Sequence, residues 1–239
     1  MKAIILAAGR GTRFNGSVIP KCLLEVNNET PLERLLFQLK SSGIQSITIV
    51  LGYEANMIID KIKNLNYDID YVFNKRFEED TNIYSLRLAL EEDLEPFLLL
   101  ESDCVFSDES FNTIVSQTST GLSTWFTCGM FNSSQNGGII KSNSRGIVED
   151  IKIVSDYHED HSRYMKMIGA LIVASKEVDR YYEYLINYSD KNLKQYYHKP
   201  WIDNLHRLSS VSVDLPENQV FSFNTIDEYN MMLSFFKGK

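Results

Sequence analysis

Across its first half the chain alternates short apolar runs with amphipathic segments of about ten residues, and no other feature restricts its fold as strongly. Ala3–Leu6, Ser46–Leu51, Ile69–Phe73 and Phe97–Leu100 are mostly apolar or β-branched and short enough to be strands. Between them, residues 32–42, 56–64 and 83–92 place apolar side chains at helical spacing. The first of these opens on Thr30-Pro31 with Glu33, a side-chain cap and a first-turn proline, and ends at Gly43. Strands separated by helices are βαβ units, which predict a mostly parallel sheet covered on both faces.

Beyond Asp108 the texture changes. Residues 122–128, 138–141, 147–154 and 167–174 predict strands separated by polar turns such as Ser133–Gly138. Helical texture returns at 177–188 and 200–208, short strands follow at 211–215 and 220–223, and a helix closes the chain at 226–236. No repeat, low-complexity tract or linker interrupts it, and 44% apolar residues supply a sizeable core. The expectation is one α/β domain over 1–239, doubly wound in its first half, with an inserted antiparallel portion and a helical C-terminal end.

No apolar stretch approaches the length of a membrane span, and the first apolar run is too short for a signal peptide. Cys22, Cys104 and Cys128 are far apart, which argues against a disulfide framework or a cysteine zinc site. Together these predict a cytoplasmic protein without a membrane partner.

A net charge of −8 disfavours general nucleic-acid binding. Charge is nevertheless uneven: residues 1–24 hold Lys2, Arg10, Arg13 and Lys21 and no acid. A basic island in an acidic protein suits a local anionic ligand, although a short window also allows chance.

In an open α/β sheet the loop after the first strand is a favoured ligand site. Here that loop runs Leu6-Ala7-Ala8-Gly9-Arg10-Gly11-Thr12-Arg13. Glycines let main-chain N–H groups approach a phosphate, and Arg13 adds a charged fork. It is neither well-known glycine loop: Phe14 stands where a dinucleotide fingerprint needs glycine, and no Gly-Lys-Ser/Thr is present. A tight turn with solvated arginines is the competing explanation. Pro20-Lys21, just beyond, places a second cation where one polyphosphate meets both.

The arrangement LAAGRGTR followed by PKCLLEV resembles the signature of nucleoside-triphosphate transferases that activate phosphorylated metabolites, with the usual spacer shortened to Phe14–Ile19. Thr81-Asn82-Ile83-Tyr84-Ser85-Leu86 is similar to the Asn-x-Tyr-Ser-Leu stretch of the choline-phosphate and phosphonate cytidylyltransferase branch. Trp201-Ile202-Asp203-Asn204 is similar to its Trp-Asp-Asn element, and residues 223–229 to its C-terminal metal segment. The resemblance implies a Rossmann-like, GT-A-like nucleotidyltransferase fold with a nucleotide-binding half at 1–110 and an acceptor-binding half at 111–239.

It also implies roles. Leu6, Ala7, Ala8, Gly9, Arg10, Gly11 and Thr12, with Asn82, Ser85 and Ser102, bind the nucleotide. Arg13 meets the outer phosphates, Lys21 neutralises the α-phosphate, and Asp103 holds Mg²⁺. Asp103 suits a hard cation on its own account, since a carboxylate after a parallel strand projects into the same crevice. Capping of a helix near Asp108 by 101–103 is the alternative. Asn224 stands where the family carries its second metal aspartate, an uncharged ligand that predicts weaker metal binding.

Tyr181, Tyr182, Tyr184, Tyr188, Tyr196, Tyr197 and Trp201 crowd one region, with Trp125 apart. Aromatic faces around Asp203 would cage a quaternary ammonium, or simply pack helices onto the sheet. Trp201, Asp203 and Trp125 are therefore the expected acceptor-binding residues. His158 and His161 lie in an acidic stretch that suggests an exposed loop more than a metal site.

The implied activity is Mg²⁺-dependent transfer of a nucleoside monophosphate, CMP from CTP by branch resemblance, to phosphocholine, 2-aminoethylphosphonate or a similar small acceptor. Pyrophosphate leaves, and the product feeds cell-surface polysaccharide or phosphonate biosynthesis. A sugar-1-phosphate nucleotidylyltransferase and a non-catalytic nucleotide sensor are the alternatives, as a monomer or homodimer.

Overall fold

In a computed structural model of the chain, the described residues are 1–11, 19–223 and 225–237. The first half alternates as the sequence predicts: β1 (Lys2–Ala7), α1 (Pro31–Ser41), β2 (Ile47–Leu51), α2 (Ala55–Ile62), β3 (Ile69–Phe73), α3 (Ile83–Leu90) and β4 (Phe97–Glu101). A short β5 (Cys104–Phe106) and α4 (Asp108–Gln117) come next. The second half contains β6 (Thr124–Met130), β7 (Gly137–Ser142), β8 (Val148–Val154), β9 (Met165–Val173), α5 (Ser175–Ser189), α6 (His198–Asp203), β10 (Val211–Leu215), β11 (Val220–Ser222) and α7 (Ile226–Lys237).

The main sheet has the order β10-β6-β9-β4-β1-β2-β3, with β7 and β8 attached as a hairpin beside β9. β1, β2, β3 and β4 are mutually parallel, while β9 runs antiparallel to both β4 and β6. The antiparallel insertion of the sequence reading is thus part of the same sheet. β11 pairs antiparallel with β5 in a separate two-stranded ladder, Ser222 opposite Cys104.

β1 is buried along its whole length, and its side chains alternate between two cores. Ala3 and Ile5 join Leu98 and Leu100 beneath Leu32, Leu35, Leu36 and Leu39 of α1. Ile4 and Leu6 join Leu99 beneath Leu86 and Leu90 of α3 and Tyr181 and Leu185 of α5. A strand covered on both faces needs apolar residues throughout, which is why Ala3–Leu6 shows no polar alternation.

The cap read at Thr30 is a reciprocal capping box: Glu33 N–H donates to Thr30 Oγ1 at 3.2 Å, and Thr30 N–H to Glu33 Oε2 at 3.0 Å. α4 is capped by Ser107, whose hydroxyl accepts from Ser110 N–H, so residues 101–103 are free of capping duty. The helix expected at 200–208 spans only His198–Asp203, where Asn204 turns its side-chain amide back onto the Pro200 carbonyl. Among the described residues, no helix is long and apolar enough to cross a membrane.

Candidate active site

β1 and β4 lie side by side with Leu6 opposite Glu101, so the loops leaving both strands enter one crevice. Ser102 N–H donates to the Leu6 carbonyl at 3.2 Å and closes the crevice floor. A cavity of about 230 Å³ opens there, lined by Leu6, Ala7, Ala8, Gly9 and Gly11 from the first loop. Pro20, Lys21 and Cys22, then Thr81, Asn82 and Ser85, then Glu101, Ser102 and Asp103, and finally Tyr196 complete its wall. A neighbouring cavity of about 520 Å³ shares Gly9, Gly11, Lys21 and Thr81 and adds Arg10, Phe77, Glu78 and Asp80. Gly11 has φ +62, and a Cβ there would lie 2.9 Å from Lys21 Cε. Only glycine lets the lysine stem cross the loop so closely. Thr12, Arg13 and Asn224 fall outside the described residues.

Lys21 is the hub of this crevice. Its Nζ donates to Asp103 Oδ2 at 2.8 Å and to the Phe223 carbonyl at 3.1 Å. Both side chains of the ion pair are largely shielded from water, which strengthens it relative to a surface pair. The β5–β11 ladder explains the reach to Phe223, since it starts one residue after Asp103 and ends one residue before Phe223.

Glu101, which the sequence reading passed over, faces the same cavity. Burial and the neighbouring Asp103 carboxylate push its pKa up to about 7, against the opposing hydrogen bond from the Tyr197 hydroxyl. Gly169 provides the room, because a Cβ there would come within 2.7 Å of Glu101 Oε2. Lys166 on β9 is a second missed charge; burial holds its ammonium below the ordinary range, while the Glu101 and Glu228 carboxylates pull it back up. Its signal in sequence was no more than a lysine inside an apolar strand.

Ligand atoms of Glu101, Asp103 and Cys104 all lie within 4.8 Å of one another. Burial pushes the Cys104 thiol well above its ordinary pKa, so it stays protonated and the usable donors are carboxylate oxygens. Such a donor set fits Mg²⁺, a hard cation that takes one or two carboxylates together with phosphate oxygens. Cys22, pushed up to about 12 by burial and by Asp103, is an inert wall of the cavity.

The start of α3 is built around Asp80, also missed in sequence. Its carboxylate accepts from Tyr84 N–H at 3.0 Å, Ser85 N–H at 2.8 Å, Ser85 Oγ at 2.7 Å and Asn74 Nδ2 at 2.9 Å. Asn82 and Ser85 are thereby fixed on the cavity wall.

The aromatic cage is corrected. Trp125 and Trp201 are both 0% exposed and meet edge to face at 5.7 Å, with Tyr181 against Trp201 at 5.0 Å. They cement α5 and α6 to the sheet and present no face to a ligand. Asp203 accepts from Lys199 at 2.6 Å and from the Tyr188 hydroxyl at 2.9 Å, and neither cavity includes it. Aromatic spacing in sequence did not reveal which faces pack inward. Of that group Tyr196, 40% exposed, lines the cavity. Glu159 and Asp160 are exposed as expected, but His161 is buried among Phe131, Tyr157 and Tyr164 and accepts from His158 N–H at 3.2 Å.

Comparison with known proteins agrees with this geometry. The family model for the MobA-like NTP transferase domain matches residues 3–127. The choline-phosphate cytidylyltransferase of Streptococcus pneumoniae is 35% identical over 120 residues, covering 49% of this chain and about half, 52%, of that relative. The choline-phosphate cytidylyltransferase of Haemophilus influenzae is 27% identical over 98% of this chain and 96% of its own length. In three dimensions, the CTP:phosphocholine cytidylyltransferase of S. pneumoniae superposes with TM-score 0.82 over 98% of this chain and 97% of that one, at 24% identity. That likeness establishes the shared fold.

Proposed function

On the premise that this chain belongs to the MobA-like NTP transferase family, we propose that it is a Mg²⁺-dependent cytidylyltransferase. It transfers CMP from CTP to a small phosphorylated or phosphonate acceptor and releases pyrophosphate. The observation that carries this reading is the Lys21–Asp103 pair set over the glycine loop in one crevice. The relatives named for choline-phosphate support the acceptor class and the base.

The acceptor's phosphate or phosphonate oxygen attacks the α-phosphorus in line, and the bond from that phosphorus to the bridging oxygen of pyrophosphate breaks. The attacking oxygen is already anionic, so no side chain needs to remove a proton. What the protein supplies is position and charge. The main chain of Ala7–Gly11 cradles the phosphates, and Lys21 offsets charge growing on the α-phosphate. Arg13 would meet the outer phosphates. Mg²⁺ held by Asp103, with Asn224 as the uncharged second ligand, would screen the phosphates and orient them.

The test is a matrix of the four nucleoside triphosphates against phosphocholine, 2-aminoethylphosphonate and hexose phosphates, read as pyrophosphate release. Release with CTP and an amine-bearing acceptor is expected. Release confined to hexose phosphates would replace the reading with a sugar-nucleotide enzyme, and CTP binding without release under any acceptor would replace it with a nucleotide sensor.

A further inference from the structure

The Lys21 ammonium joins two stretches that lie far apart in the chain. Its Nζ donates to Asp103 Oδ2 at 2.8 Å and to the Phe223 carbonyl at 3.1 Å. Phe223 immediately precedes Asn224 in sequence. One cation thus bridges a carboxylate and a main-chain oxygen, the kind of hard oxygen donors that a divalent cation takes.

The partners in this bridge are held by the fold. The pairing of Ser222 with Cys104 sets Phe223 beside Asp103. Phe223 is 0% exposed, packs with Val26, Val105 and Met232, and meets the Tyr229 ring at 5.2 Å. The lysine stem crosses the glycine loop at Gly11, where a Cβ would lie 2.9 Å from Lys21 Cε. The side chains of Lys21 and Asp103 are only 15% and 21% exposed, so water screens the pair weakly.

A carboxylate oxygen engaged by an ammonium is closed to a bare divalent cation, which would bring a second positive charge within a few ångströms of the first. Lys21 and Asp103 together carry no net charge, and an asparagine at 224 adds none. A triphosphate changes that balance. Lys21 lines the second cavity as well as the first, beside Gly9 and Gly11 in both, so a phosphate on the glycine loop lies within reach of its four-carbon stem.

We propose that in the nucleotide-free protein Lys21 takes the place of the divalent cation on Asp103 and the Phe223 carbonyl, and that the α-phosphate draws it off, so that metal enters only together with the triphosphate. The inference rests on the reading of Asp103 as a Mg²⁺ ligand. It gives Lys21 a task before the chemistry begins, keeping the carboxylate closed to metal until substrate is present.

Mn²⁺, which takes the same oxygen ligands, reports metal binding to the full chain without nucleotide through the paramagnetic resonance signal of the unbound ion. Lys21→Met keeps the stem over Gly11 and removes the charge. It should bind Mn²⁺ at least about tenfold more tightly than wild type, even as pyrophosphate release falls. Adding Asp103→Asn to Lys21→Met should abolish the gain. Arg10→Met removes a charge from the same loop, where Arg10 packs on the Tyr53 ring, and should leave Mn²⁺ affinity within about twofold of wild type. Equal affinity in Lys21→Met and wild type, a gain that survives Asp103→Asn, or an equal gain in Arg10→Met overturns the inference while leaving the proposed reaction intact. A Mg²⁺ activation profile of Asp103→Asn that superposes on wild type overturns the metal reading itself, and this inference with it.

Discussion

Lys21 and Asp103, 82 positions apart in the chain, are joined by a 2.8 Å contact between Nζ and Oδ2. Each therefore holds the other in place at the wall of the first cavity. Under the proposed function, the cation for the phosphates and the carboxylate for Mg²⁺ would be positioned by one another.

Lys21→Ala should lower pyrophosphate release at least about 100-fold, the usual scale for removing one preorganised charge from a transition state. The melting temperature should move far less in proportion, because the stem of Lys21 packs over Gly11 at the cavity wall and outside the cores. Steady-state kinetics and calorimetry on the same preparation check both. An unimpaired variant would remove Lys21 from the chemistry.

Asp103→Asn should raise the Mg²⁺ concentration for half-maximal activity by about tenfold or more, since the proposed Mg²⁺ site loses a charged oxygen ligand. Chelation should abolish pyrophosphate release in wild type, and Mg²⁺ should restore it. A Mg²⁺ titration that superposes on wild type would exclude Asp103 as a ligand.

Asp80→Ala strips four donors of their acceptor at the head of α3. Leaving such groups unpaired costs about 1–3 kcal/mol. Thermal unfolding should therefore shift down by several degrees. CTP binding should weaken in parallel, because Asn82 and Ser85 stand on the turn that Asp80 organises. A variant with wild-type melting and wild-type affinity would show that the turn holds without it.

His198 gives the fold an acid-sensitive point. Burial, with Lys166 adding repulsion, holds its pKa at about 3 against an ordinary 6.5, so the folded state keeps the ring neutral. Its contribution is fully present above the unfolded pKa and is lost as pH falls from 6.5 toward 3, by linkage about 3 kcal/mol at pH 4. His198→Phe preserves the stacking on Tyr197 and Trp125 and cannot titrate. Its melting temperature between pH 7 and pH 4 should fall less steeply than that of wild type; parallel curves would assign the acid lability elsewhere.

Element types were legible wherever period and caps agreed. β1, β2 and β4, buried along almost their whole length, carry nearly unbroken apolar runs, and Thr30 with Glu33 announces α1. Of the residues singled out by motif spacing, Leu6, Ala7, Ala8, Gly9 and Gly11 of the glycine loop, with Lys21, Asn82, Ser85 and Asp103, are brought to the wall of the first cavity. Glu101, Asp80, Lys166 and Tyr197 were not. Each acts through neighbours far along the chain, and nothing in local spacing shows that Glu101 lies beneath Tyr197. The tryptophans failed for the converse reason: composition suggested a cage, but Trp201 of α6 turns toward the sheet and packs edge to face on Trp125 of β6, both wholly buried.

The ladder between β5 and β11 has a consequence for spacing. Its strands adjoin the two stretches that carry Asp103 and Asn224, and everything from Ser107 to Gln219 departs from one end of the pairing and returns to it. Ser107 N–H even donates to the Gln219 carbonyl at 2.8 Å, pinning the exit of that excursion to its return. The ladder therefore holds the stretch leaving β4 and the stretch leaving β11 at one fixed spacing, while the pairing of β9 with β4 keeps the long excursion between them built into the main sheet.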